Sequence, residues 1–166
     1  MRALVVYESI WGNTETIARA AAAGVGDDAQ VVSVVDAPAA IPDDIDLLIV
    51  GGPTHAFSMT TPSTRESARQ QGATTIPVRG IREWILELAP PSRAVRVATF
   101  DTRTVSPRLP GSAAKKAMKR LVGRGLEPAA KPETFGVHGY GGPLADGEEA
   151  RAREWGAKIA ATVTGR

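Results

Sequence analysis

A chain of 166 residues, 43% hydrophobic and 23% charged, is long enough for one domain with a sizeable core and has the composition of an ordinary soluble globular protein. The absence of cysteine and the presence of only two histidines exclude disulfides, iron–sulfur clusters, thiol catalysis and a histidine-rich metal centre. No apolar run approaches the roughly 20 residues of a membrane span, and no basic segment leads into an apolar stretch at the N-terminus, so a cytoplasmic protein without a membrane span is expected.

The net charge of +2 conceals an asymmetry. Residues 1–50 carry two arginines against eight acids, residues 51–100 six arginines against three glutamates, and residues 101–166 twelve bases against seven acids. Such polarity along the chain suits a charged ligand or partner as well as a solvated surface.

In chain order, RALVVY (residues 2–7) is nearly continuous in apolar residues, as a strand buried on both faces would be. A helical pattern follows, with Ile17, Ala20, Ala21 and Val25 on one face and Gly24 and Gly26 near its end. QVVSVV (30–35), DLLIV (46–50) and AVRVATF (94–100) read as further strands. Thr61-Pro62 offers an N-cap and a first-turn proline for a helix over 62–71. GIREWILEL (80–88) has helical spacing, and Ser112 is placed to cap a helix over 113–123. TFGVHG (134–139) reads as the final strand, and Asp146 through Glu149 resembles a capping box for a last helix with Ala152, Trp155 and Ile159 facing inward. With strands and helices alternating and neither a linker nor a repeat, the expected architecture is one α/β domain over 1–166, built on a mostly parallel sheet. Ligands of such open sheets bind beyond the carboxyl ends of the strands. Three loops at that edge therefore matter: 8–14, 52–61 and 100–111.

The first loop joins a buried strand directly to a helix. The N–H groups of a helix's first turn lack intrahelical partners and carry the positive end of its dipole, so a loop curling over them offers several donors to one anion. Ser9 and Thr14 add hydroxyls, Asn13 an amide, and Gly12 room for close backbone approach. Capping of the helix alone would use the same residue types. Neither GxGxxG nor GxxxxGK[ST] occurs, which excludes the dinucleotide and P-loop phosphate sites.

Ser9-x-x-Gly12-Asn13-Thr14 resembles the phosphate loop of flavodoxins and flavodoxin-like quinone reductases, and the order of strands and helices agrees with that family along essentially the whole chain. The resemblance implies a flavodoxin-like three-layer sandwich, with helices on both faces of a five-stranded parallel sheet of order 2-1-3-4-5 and no insertion in the last strand. It also implies FMN, with its phosphate held by Ser9, Ile10, Trp11, Gly12, Asn13 and Thr14. Ile10 and Trp11 replace the threonines common in the family, leaving the backbone donors in place. In the second loop, GGPTHAFSMTTP, the resemblance puts Pro53, Thr54, His55, Ala56 and Phe57 against the flavin, with Phe57 suited to stacking. In the third, Phe100, Asp101, Thr102 and Arg103 would cover the other face and the pyrimidine edge. His138 and Tyr140 are candidate substrate contacts.

The implied function is electron transfer from a reduced donor to a quinone or similar small acceptor. The alternatives are a one-electron carrier between redox proteins and a flavin-free interaction domain. No catalytic acid, base or nucleophile is identifiable, and no metal ligand set. Arg103, Arg108, Lys115, Lys116, Lys119, Arg120 and Arg124 face only Asp101 in charge, which suits an acidic redox partner or the phosphates of NAD(P)H. Nucleic acid is not expected, because no aromatic residues interleave this basic run. The second loop holds no glycine between Gly52 and Gly72. A left-handed residue there is expected to cost roughly 1 kcal/mol, which argues for two-electron chemistry.

Overall fold

The computed structural model describes residues 1–165. Strand β1 (Ala3–Tyr7) pairs in parallel with β2 (Ala29–Ser33) on one side and with β3 (Leu47–Pro53) on the other. Its side chains therefore alternate between two buried layers, and this is the reason for its unbroken apolar run. Ala3, Val5 and Tyr7 face one core cluster, while Leu4 and Val6 face the other. Val34 and Val35, expected at the end of β2, instead form a 3₁₀ turn over Val34–Asp36, where the Ser33 hydroxyl accepts from the Val35 N–H.

β4 (Arg96–Thr104) pairs with β3 and runs four residues beyond the expected strand. Pairing with β3 reaches Thr102, and the rest is held by the outer edge of the sheet. It is filled in two pieces, β5 (Glu127–Pro128) and β6 (Glu133–Val137), both parallel to β4. β6 pairs with residues 100–104 and so holds them in extended form. The order β2-β1-β3-β4-β5 is the expected one, with the edge position divided rather than continuous.

Helices cover both faces. α1 (Asn13–Val25) and α5 (Glu148–Thr164) contribute to one core cluster with Phe100 and Phe135. α3 (Ile81–Glu87) and α4 (Ala113–Gly123) contribute to the other. α2 (Pro62–Gln70) starts as expected, Thr61 and Thr64 exchanging both bonds of a capping box. Ser112 caps α4 by accepting from the Lys115 N–H. Asp146 caps nothing: the N-cap of α5 is Gly147, and Glu148 spends its carboxylate on the Gly136 N–H of β6 and on Arg151.

Phe100, Phe135 and Trp155 meet edge to face with centroids 5.9–6.0 Å apart, binding sheet to α5. Two glycines let α1 and α5 approach closely. A methyl group on Gly156 would lie 2.1 Å from the Ala21 carbonyl oxygen, and one on Gly24 would lie 1.9 Å from that of Arg153. Gly156→Ala is therefore expected to destabilise the fold by roughly 1–3 kcal/mol through overpacking, although alanine favours a helix over glycine by about 1 kcal/mol. Denaturant unfolding checks this, and an unchanged or raised midpoint would show that the helices separate freely.

Candidate functional site

The Glu8 N–H donates to Gly51 at the end of β1, and the chain then turns through Ser9–Gly12 into α1. Gly12 makes the turn possible with φ +94°, a left-handed backbone that suits glycine. Its N–H donates to the Ser9 hydroxyl at 3.1 Å, closing the loop on itself. No side chain caps α1, so its first-turn N–H groups are left without a capping side chain. Ile10 anchors the loop from beneath by packing on Ala68 and Ala73.

A cavity of about 470 Å³ opens beside this loop. Ile10, Trp11, Asn13 and Thr14 line it from the first loop, and Pro53, Thr54, His55 and Ala56 from the second. Thr102 and Arg103 line it from the end of β4. These sequence-nominated positions, separated by up to 93 residues, are thus brought to one cleft at the carboxyl edge of the sheet.

Direct hydrogen bonds hold the walls together. The buried hydroxyls of Thr14 and Thr102 meet at 2.7 Å. The Thr54 N–H donates to the Thr102 carbonyl at 3.0 Å, and its hydroxyl accepts from the Ala113 N–H at 2.9 Å. Arg103 donates to the Gly111 carbonyl at 2.6 Å, folding residues 105–111 back over the cleft.

Five nominated residues do not face the cavity. Ser9 and Gly12 act through backbone shape, as above. Phe57 is half exposed and lies beside Gly111, off the cavity lining. Phe100 and Asp101 require correction. As successive residues of β4 they point to opposite faces, Phe100 into the aromatic cluster and Asp101 toward the start of α4. Asp101 accepts there from the Ser112 hydroxyl at 2.5 Å and the Ala114 N–H at 3.1 Å. Neither side chain reaches the cleft. His138 is exposed away from the cavity, whereas Tyr140 lines its mouth.

One wall went unforeseen. Thr64, Ser67, Ala68 and Gln71 line the cavity from α2 and its end. Their i, i+3, i+4, i+7 spacing is a helical stripe of small and polar residues, and it follows directly on the second loop. That spacing was the available signal.

The second loop also departs from expectation. His55 and Ser58 exchange both backbone hydrogen bonds, at 2.9 and 3.0 Å, closing a tight turn. Its central residues, Ala56 and Phe57, have φ of +46° and +70°. A left-handed backbone is thus present without glycine, so the expected barrier against it does not argue for two-electron chemistry. Arg82 holds the turn's exit, donating to Ser58, Met59 and Thr60.

Beyond the cavity, Arg108, Lys115, Lys116, Lys119 and Arg120 are exposed and form no ion pair among the described residues. No helix is long and apolar enough to cross a membrane among the described residues.

No protein-family model matches the chain, and no curated protein matches its sequence. Solved structures match its fold. A flavodoxin from the domain Archaea is 21% identical over 99% of both chains, with a TM-score of 0.66. The Streptococcus pneumoniae TIGR4 flavodoxin is 17% identical over 97% of this chain and 99% of its own, with a TM-score of 0.68. A WrbA-like flavodoxin from Agrobacterium tumefaciens is 16% identical over 99% and 98%, with a TM-score of 0.61. The chain has the flavodoxin fold along essentially its whole length.

Two expectations follow from the second loop. Glycine at position 56 should raise stability by up to about 1 kcal/mol by relieving a left-handed alanine, whereas Ala56→Val should lower it; equal midpoints in denaturant would contradict the strain. Burial pushes the His55 imidazole below its ordinary pKa of 6.5. The stability gained by keeping it neutral is present above pH 6.5 and is lost as pH falls through the lowered value. Thermal melts across that acid range should show a decline that His55→Gln flattens.

Proposed function

We propose that the chain binds one FMN noncovalently in this cleft and works as a redox protein. The observation that carries the reading is the uncapped start of α1 behind a left-handed Gly12, opening on a cleft lined from loops on both sides. The first-turn N–H groups, with Asn13 and Thr14, would hold the phosphate, and Ser9 would shape the loop around it through its bond from the Gly12 N–H. Trp11 and Gly141 lie in contact distance at the loop's rim, a methyl on Gly141 falling 3.6 Å from the indole. Thr54, His55 and Ala56 on one side, with Thr102 and Arg103 on the other, would flank the ring.

When bound, the cofactor supplies the electron chemistry, and the protein contributes binding, orientation and electrostatics. Buried Thr14 and Thr102 fix the depth of the cleft. Pro53, Leu109 and Val137 give it apolar surface that favours a flat ring over water. A quinone acceptor takes two electrons and two protons to become the quinol, and the mouth beside Tyr140 is open to such a molecule. The unpaired bases beyond the cavity favour an acidic redox partner or the phosphates of NAD(P)H as the source of electrons. One observation supports the one-electron carrier instead: the left-handed turn at Ala56–Phe57 supplies, without glycine, the backbone geometry that such carriers use.

Titration of FMN into the purified protein tests the reading. One equivalent should quench flavin fluorescence and shift the absorbance bands, and riboflavin, lacking the phosphate, should bind more weakly. Gly12→Val should abolish FMN binding, since a β-branched residue resists φ near +94°. Unquenched fluorescence with the wild-type chain would leave the flavin-free reading standing. An anaerobic redox titration separates the two redox readings: a single two-electron step supports the reductase, and two well-separated one-electron steps the carrier.

A further inference from the structure

Glu8 is fully buried at the first position of the 8–14 loop, and nothing proposed above uses it. Its Oε1 accepts from the Ile81 N–H of α3 at 2.9 Å, and its Oε2 accepts from the Thr60 hydroxyl at 2.5 Å. Thr60, also fully buried, accepts in turn from Arg65 of α2 at 2.9 Å. Arg65, 3% exposed, also pairs with Glu83 of α3. The relay runs from arginine through hydroxyl to carboxylate with a hydrogen available at every step. Burial pushes the Glu8 carboxyl above its ordinary range, opposed by the bonds from Thr60 and Ile81 and by Arg65.

Gly80 shows that space is reserved for this cluster. Its φ of −109° is open to any residue. A methyl there, however, would lie 2.3 Å from Glu8 Oε1 and 2.7 Å from both Thr60 Oγ1 and Arg65 Nη1. Buried ionic clusters are often replaceable by apolar side chains of similar volume without loss of stability. What distinguishes this one is its topology. Glu8 leads into the 9–14 loop, Thr60 ends the second loop, and Arg65 sits next to Thr64 on the helix that walls the cavity.

We infer that Glu8 is a positioning residue: through Thr60 and Arg65 it sets the 9–14 loop against α2, the spacing the bound anion requires. The inference rests on the FMN reading for its ligand and on the relay for its geometry. Glu8→Gln keeps the shape but presents an amide donor where one acceptor oxygen is needed.

The test compares wild type, Glu8→Gln, Thr60→Val and Thr60→Ser by FMN and riboflavin affinity and by amide hydrogen exchange of the flavin-free protein. Glu8→Gln and Thr60→Val should each weaken FMN binding by about tenfold, the scale of one misplaced hydrogen-bonded wall. Riboflavin affinity should change by less than about threefold, and Thr60→Ser should restore FMN binding. Exchange should quicken at residues 9–14 and 62–71 and stay unchanged in β1 and β3. Equal losses for FMN and riboflavin, or uniform acceleration of exchange, would reduce Glu8 to a general stabilising role and overturn the inference. If wild type binds no flavin, the FMN reading fails on its own, and the exchange pattern still decides whether Glu8 couples the two walls. If Glu8→Gln does not fold, the Thr60 pair carries the same comparison.

Discussion

β1 pairs in parallel with β2 on one side and β3 on the other, so the chains leaving β1 and β3 cannot run over the same face of the sheet. The chain after β1 becomes α1 in one layer, and the chain after β3 passes through α2 to α3 in the other. Between these departures a crevice opens at the carboxyl edge, as it does wherever strand order reverses in an open α/β sheet. Its walls are then set by how each strand is left. Gly12 turns back at once to start α1, while β4 carries Thr102 level with the end of β3 and, through its pairing with β6, Arg103 past it to the rim.

A crevice between diverging loops needs cross-links to keep its shape, and these are polar and short. Thr14 meets Thr102, Thr54 meets both Thr102 and Ala113, Arg103 reaches Gly111, and Arg82 holds residues 58–60. All but the exposed Arg103–Gly111 bond link segments distant in sequence through groups at least partly withdrawn from water, where leaving a donor or acceptor unpaired costs about 1–3 kcal/mol. The Glu8–Thr60–Arg65 relay belongs to the same scheme, one layer further from the cavity.

The cleft is also where local preference is overridden. Ala56 and Phe57 adopt positive φ, which costs each of them on the order of 1 kcal/mol. The paired hydrogen bonds of His55 and Ser58 and the packing of Phe57 against Gly111 hold that geometry in place. Strain of this kind, confined to one turn at a cavity wall, persists only where the surrounding structure over-determines it.

Features with a short-range cause were legible in the sequence. The apolar run 3–7 announces a strand covered on both faces, Thr61-Pro62 and Ser112 announce helix starts, and Ser9–Thr14 announces a tight passage from strand to helix, because each signal lies within about one helical turn or strand of its effect. The mostly parallel sheet and the carboxyl edge as the place of the cleft followed from the alternation of those elements, whereas the strand order came from the family resemblance of the Ser9–Thr14 loop. Tertiary structure decided what depends on partners far along the chain. β3 and β6 together hold the end of β4 in extended form, and the resulting alternation sends Phe100 into the core and Asp101 to α4. The docking of α2 turned its Thr64–Gln71 stripe toward the cavity. Glu8, an unremarked acid between a strand and a loop, acquired its place because Thr60, Arg65 and Ile81, 52 to 73 residues away, converge on it. No local pattern encodes such convergence, since burial and hydrogen-bond partners arise when the layers close.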